Sequence, residues 1–178
     1  MYNPAVRDRD RGVDVAHPDL LAEIIAAESH RAREGKSGRS LGLRPDALLS
    51  SDDQRRIDEL AAFDLTPVRS RLVQRGRMSE DWVDLAILEF QRYLAVRLLS
   101  PEPVMMLSAV VDEVWHATIL FTRLYADLCR RVFGHFLHHD PEMQPITDPS
   151  AKWRVFEQRY TALFGAPGAL WQAWQPLE

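Results

Sequence analysis

The chain has 178 residues, of which 46% are apolar and 27% charged, and it carries a formal net charge of −4 at pH 7. This length and balance indicate a globular protein of single-domain size and exclude a disordered or fibrous chain. Because the net charge is negative and no basic block is longer than two residues, nucleic acids and anionic membranes are not expected partners.

A single cysteine, Cys129, occurs in the chain. One thiol cannot form an internal disulfide bond, which favours a reducing, cytoplasmic location. The N-terminal residues contain no apolar run typical of a signal peptide, and no uncharged apolar stretch is long enough to span a bilayer. We therefore expect a soluble cytoplasmic protein.

Apolar residues recur at helical spacing in six segments, and no segment shows the two-residue alternation of a half-buried strand. Ser51 with Gln54 forms a candidate capping box, Thr66 before Pro67 is typical of a helix start, and Gly134 is a natural stop. Residues 1–17 are polar, and we expect them to be flexible. Residues 18–178 are predicted to form one all-α domain, an irregular bundle of about five to seven helices. The predicted helices cover residues 18–35, 52–63, 66–76, 80–99, 109–132 and 150–165.

The predicted helix at 80–99 is apolar around nearly its whole circumference, so we expect it to be central. Glu89 lies within it, where an unpaired charge would be costly. The simplest expectation is that Glu89 pairs with Arg92 or another arginine. The alternative is a buried metal ligand or catalytic acid that faces the histidines described next.

Four of the six histidines fall between residues 116 and 139. Asp112 and His116 are four residues apart on a predicted helix and therefore project from the same face. They can ligate one cation together, or the carboxylate can orient the imidazole as a general base. The alternative is an ordinary ion pair on the helix surface. His116, Asp112 and Glu89 are the candidate catalytic residues.

Three further histidines follow Gly134. If the helix continues past this glycine, His135 and His139 share a face, whereas His138 points about 100° away. Imidazole and carboxylate donors suit zinc, iron, manganese or copper. The candidate cofactor is therefore a divalent transition metal, and the alternative is a solvated helix end. The candidate metal ligands are Asp112, His116, His138, His139 and His135.

Cys129 falls on the apolar stripe of the predicted helix at 109–132, about 220° from His116 around a continuous helix. A lone cysteine in such a position behaves as a small apolar residue. A nucleophilic triad of Cys129, His139 and Asp112 is the weaker alternative, because nothing in the sequence lowers the pKa of the thiol.

Several blocks resemble the glycine-rich-domain-containing-protein-like family, which occurs in bacteria and plants and has largely no assigned activity. Residues 108–125 resemble its pattern S-x-x-V-D-x-V-W-H-x-H-I-L-x-T-x-x-Y, and residues 89–94 its preceding helix. Residues 129–141 are similar to its C-x-x-x-F-G-x-F-x-H-H-x-P block, and residues 160–171 to its Y-x-x-x-F-G…W ending. The resemblance covers residues 79–174.

The resemblance implies that the polar signature of that family maps onto Asp112, Trp115, His116, His138 and His139. The family pattern has a second histidine two residues after the first, where this chain has Thr118. This departure weakens the inference of an inherited activity.

Two functional hypotheses follow. The first is a metal-binding helical protein, extending to a metalloenzyme that performs metal-assisted hydrolysis or oxygen chemistry on a small-molecule substrate. The second is a non-catalytic interaction or scaffold module. There the histidine and tryptophan signatures are structural, and exposed Trp171 and Trp174 dock a protein partner.

Overall fold

The computed structural model describes residues 39–76, 78–102, 104–139 and 148–172. Within these ranges the chain forms a 3-10 turn at Ser40–Gly42, seven α-helices and no strand, which confirms the all-α prediction. Some of the sequence predictions lie outside the described residues: the helix at 18–35, His17, His30 and Trp174. The helices are α1 (Ser51–Ala61), α2 (Thr66–Arg75), α3 (Glu80–Leu99), α4 (Ala109–Leu120), α5 (Thr122–Val132), α6 (Pro149–Phe164) and α7 (Ala169–Gln172).

The first two helices begin at caps that differ slightly from the predicted ones. Ser50, not Ser51, caps α1, because its hydroxyl accepts the Asp53 N–H at 3.1 Å. Before α2, the carboxylate of Asp64 accepts the N–H of Thr66 at 2.9 Å, so Thr66 is already the first helical residue. The glycine after α2 adopts the left-handed conformation that ends the helix, as predicted.

Helix α3 is the centre of the fold. It contacts α1, α2, α4, α6 and the 3-10 turn, and half of its twenty residues are buried. A helix that is apolar on all sides must be covered on all sides, and these neighbours provide the cover. The prediction that this segment is central is therefore confirmed.

The prediction of one continuous helix at 109–132 is wrong in one respect. The helix is interrupted at Phe121 (φ −88°, ψ 67°), which separates α4 from α5. Two hydrogen bonds of Thr118 lie next to the break. The Thr118 hydroxyl donates to the Val114 carbonyl at 2.7 Å, and its own carbonyl accepts the Phe121 N–H at 3.0 Å, which tightens the last turn. The 220° angle between His116 and Cys129 therefore does not apply, although Cys129 is buried as expected.

Helix α5 ends at Val132, and Gly134 takes a left-handed conformation with φ 75°. The N–H of Gly134 donates to the carbonyls of Cys129 and Arg130 at 3.1 and 3.2 Å, which completes the C-terminal cap. The alternative in which the helix continues and aligns His135 with His139 is wrong, because residues 135–139 are not helical.

The C-terminal helices close the core over α3. Asp148 caps α6 by accepting the Ala151 N–H at 2.9 Å, and α7 inserts Trp171, which has no solvent-exposed surface. The hypothesis that an exposed Trp171 docks a partner is therefore wrong, since its indole is a core residue. Among the described helices, none is both long and apolar enough to cross a membrane.

Candidate metal centre

Asp112 and His116 lie one turn apart on α4. The hydroxyl of Ser108 caps this helix by accepting the Val111 N–H at 3.3 Å, which places Asp112 in the first turn. A carboxylate there is favoured by the positive end of the helix dipole. The Asp112 Oδ2 and His116 Nδ1 atoms are 3.6 Å apart, as the four-residue spacing predicts.

His139 reaches α4 because hydrogen bonds from α4 and α5 hold the segment that follows α5. The hydroxyl of Tyr125 accepts the indole N–H of Trp115 at 2.9 Å and donates to the Leu137 carbonyl at 2.5 Å. The N–H of Leu137 in turn donates to Cys129 Sγ at 3.5 Å. Leu137 is therefore tied through both of its backbone polar groups, two residues before His139.

The imidazole of His139 packs between Trp115 and His116. It stacks on the Trp115 indole with ring centroids 4.1 Å apart and an interplanar angle of 25°. Its Nε2 atom lies 2.8 Å from His116 Nε2 and 3.3 Å from Asp112 Oδ1. Three donor groups from α4 and the segment after α5 thus converge on one point.

The three side chains lie close enough together to hold one metal ion. One ligand atom from each of Asp112, His116 and His139 lies within 4.8 Å of the other two. Nitrogen and oxygen ligands bind zinc at about 2.0–2.2 Å, so two ligands of a tetrahedral ion are roughly 3.4 Å apart. The 2.8 and 3.3 Å contacts share His139 Nε2 and lie on either side of that value. The 3.6 Å contact joins Asp112 Oδ2 to the other nitrogen of His116, so the side chains would have to shift slightly to place one atom each around a single ion.

The Asp112 carboxylate has an unsatisfied acceptor. Its Oδ1 atom is buried and has no hydrogen-bond donor, although His139 Nε2 is 3.3 Å away in a geometry unsuited to a hydrogen bond. A buried polar atom without a partner costs roughly 1–3 kcal/mol and needs an explanation. A cation between the carboxylate and the imidazoles would satisfy this oxygen.

The three side chains differ in exposure: 12% for His139, 28% for Asp112 and 48% for His116. Trp115, which covers one face of His139, is buried. The cluster therefore has a closed side against the core and an open side at His116.

Two predicted ligands, His135 and His138, do not join this cluster. Both are exposed, and their rings make edge contacts with Phe133 and Phe136 at centroid distances of 6.1 and 5.0 Å. Because α5 ends before these residues, the helical geometry that would have aligned His135 with His139 is absent.

Glu89, the third predicted catalytic residue, is 4% exposed and has several donors of its own. Its Oε2 atom accepts the Tyr160 hydroxyl and the Trp171 indole N–H, both at 2.6 Å, and its Oε1 atom accepts from Arg92 at 2.8 Å. The simpler expectation, that Glu89 pairs with Arg92, is confirmed. These contacts tie α3 to α6 and α7, and the carboxylate is not part of the histidine cluster.

Cys129 contributes to architecture. Burial raises the pKa of its thiol, an effect that the Leu137 N–H and the neighbouring Tyr125 hydroxyl only partly offset. Burial likewise raises the pKa of Tyr125, which keeps its hydroxyl protonated and able to donate. The roles of Tyr125 and Leu137 were missed from the sequence. The only signal for Tyr125 was its place in the family-like block.

The family comparison covers this region. A family model described as UCP032817-like matches residues 55–154, which is more than half of the 178 residues. The chain belongs to the UCP032817-like family. The matched range includes the three residues of the cluster, Asp112, His116 and His139. It also includes Tyr125 and Cys129, which position His139. The whole cluster therefore lies within the part of the chain that matches the UCP032817-like family. No curated protein and no solved structure matched the chain.

Proposed function

We propose that the protein binds one divalent transition-metal ion through Asp112, His116 and His139. The observation that carries the proposal is the buried, unpartnered Asp112 Oδ1 atom next to two converging imidazoles. A surface ion pair, the alternative considered for Asp112 and His116, would leave this oxygen without a partner.

The donor set limits the metals. Two imidazoles and one carboxylate suit zinc, iron(II), manganese or copper(II). A thiolate-rich site is not available to this cluster, because the buried Cys129 already accepts the Leu137 N–H. Two imidazoles and a carboxylate are also the ligand types of non-haem iron sites.

We extend the proposal to a small-molecule metalloenzyme that uses the ion for hydrolysis or oxygen chemistry. The support is the exposure of His116, which gives a substrate a route to the ion. A bound metal can activate water or polarise a substrate oxygen. Asp112 and His116 then serve as ligands, and Glu89, which is saturated with donors, has no part in the chemistry.

The test is zinc binding by isothermal titration calorimetry in four variants of the purified protein. His116→Ala and His139→Ala should each abolish binding, because each removes one of three ligands. His135→Ala and His138→Ala are matched controls that remove a neighbouring imidazole outside the cluster, and they should bind as the wild type does. Equal binding in all four variants, or loss of binding in the controls alone, would refute the ligand assignment.

The alternative function is a non-catalytic scaffold in which the signature residues are structural. The hydrogen bonds from Trp115 through Tyr125 to Leu137 favour a structural role for those residues. They do not account for the half-exposed His116 or for the unpaired oxygen of Asp112. If this alternative is correct, His116→Ala should lower Tm without altering metal binding, and a protein partner should be sought.

A further inference from the structure

We propose that the metal centre keeps a coordination position on its solvent side, where the ion binds a small, exchangeable anion through an oxygen or nitrogen atom. This inference rests on the proposed metal site and specifies what that site does.

The arrangement of the ligands supports an open side. His139 is the least exposed of the three residues and is backed by Trp115, whereas His116 is 48% exposed. An ion held among them has α4 and the indole behind it and solvent in front. Any remaining coordination position therefore faces outward.

The number of ligands points in the same direction. Within the described ranges, the cluster offers three donor groups to one ion. Structural zinc sites use four protein ligands, whereas catalytic sites use three and leave a position for water or substrate. Manganese and iron(II) take more ligands than zinc and would leave more positions open.

The net charge of the metal centre favours an anion as the exchangeable ligand. Asp112 is the one acidic group among the three, and neutral imidazoles add no charge. A divalent ion therefore retains one net positive charge at the centre. Because the centre is shielded from solvent on the Trp115 side, this charge attracts an anion more strongly than it would in bulk water.

The experiment uses Co²⁺ as a spectroscopic probe of the full-length protein. Equilibrium dialysis first measures how much Co²⁺ binds, and azide is then added while the visible absorption of the bound ion is recorded. Sodium perchlorate, a weakly coordinating anion, controls for ionic strength at equal concentration. Calorimetry of azide with the metal-free protein controls for binding elsewhere.

We expect one Co²⁺ per chain and a visible spectrum that azide changes in a saturable way, with one azide per ion, whereas perchlorate does not change it. Bound Co²⁺ whose spectrum is insensitive to azide would overturn the open position and leave the metal site standing. Equal heats of azide binding with and without metal would overturn the open position in the same way. No uptake of Co²⁺ or of zinc would refute the metal site itself, and the inference would fall with it.

Discussion

The Tyr125 hydroxyl links the stability of the fold to the geometry of the metal centre, so Tyr125→Phe should affect both. The substitution keeps the ring and removes only the oxygen that joins Trp115 to Leu137. It leaves an indole N–H and a carbonyl unpaired in a buried position. Each unpaired buried group costs roughly 1–3 kcal/mol, so we expect a total loss of roughly 2–6 kcal/mol.

A loss of this size leaves the protein folded if its stability is in the middle of the typical range of about 5–15 kcal/mol. In a chain of this length it should lower Tm by roughly 4–24 °C. Metal binding should weaken as well, because Leu137 lies two residues before His139 and would keep only one of its two backbone hydrogen bonds, that to Cys129. Groups that orient a metal ligand typically contribute about 10–100-fold to affinity. We expect a loss of at least about tenfold.

Tyr93→Phe is the matched control. The Tyr93 hydroxyl is also buried and donates to a single carbonyl, that of Val104, at 2.8 Å. Its removal should cost roughly half as much stability and leave metal affinity unchanged. Urea unfolding and zinc calorimetry on both variants measure the two effects. If Tyr125→Phe loses no more stability than Tyr93→Phe, or keeps wild-type affinity for zinc, the role assigned to this hydroxyl is wrong.

Three further predictions concern other parts of the chain. Glu89→Gln should lower the free energy of unfolding by roughly 3–5 kcal/mol, because Arg92 loses its charged partner. The zinc stoichiometry should be unchanged. Loss of zinc with unchanged stability would instead place Glu89 in the metal site. Asp112→Asn should cost the metal-free protein no more than about 0.5 kcal/mol, since Oδ1 has no donor to lose, but should abolish the rise in Tm on adding zinc. A similar rise in this variant would argue against the carboxylate as ligand. Gly134→Ala should lower the free energy of unfolding in urea by about 1–2 kcal/mol, because φ at this residue is +75°. The cost is backbone strain alone, since an added Cβ would meet nothing within 4 Å. An unchanged urea midpoint would contradict this prediction.

Helical periodicity was sufficient to predict α1, α2, α3 and α6, and the central position of α3. It also predicted the contact between Asp112 and His116, because one helix holds both residues at a fixed spacing. The break at Phe121 was not predictable from periodicity. At the break the Phe121 N–H donates to the Thr118 carbonyl three residues earlier, a local change that leaves the apolar pattern on both sides intact.

The placement of His139 and the partners of Glu89 depend on contacts between residues distant in sequence. His139 reaches His116, 23 residues away, only because Tyr125 fixes the intervening segment. Glu89 is satisfied by Tyr160 and Trp171, which are 71 and 82 residues further along the chain. No local pattern encodes such pairs. For this reason the sequence supplied five candidate ligands and the structure brings three of them together.

The measurement that tests the metal centre most directly is the metal content of purified, untagged protein by plasma mass spectrometry, alongside identically prepared His116→Ala and His135→Ala variants. We predict about one equivalent of a transition metal in the wild type and in His135→Ala, and little or none in His116→Ala. Absence of metal from all three preparations, with no uptake on addition of zinc, iron(II), manganese or copper(II), would contradict the proposed metal centre. The histidines would then be part of the architecture.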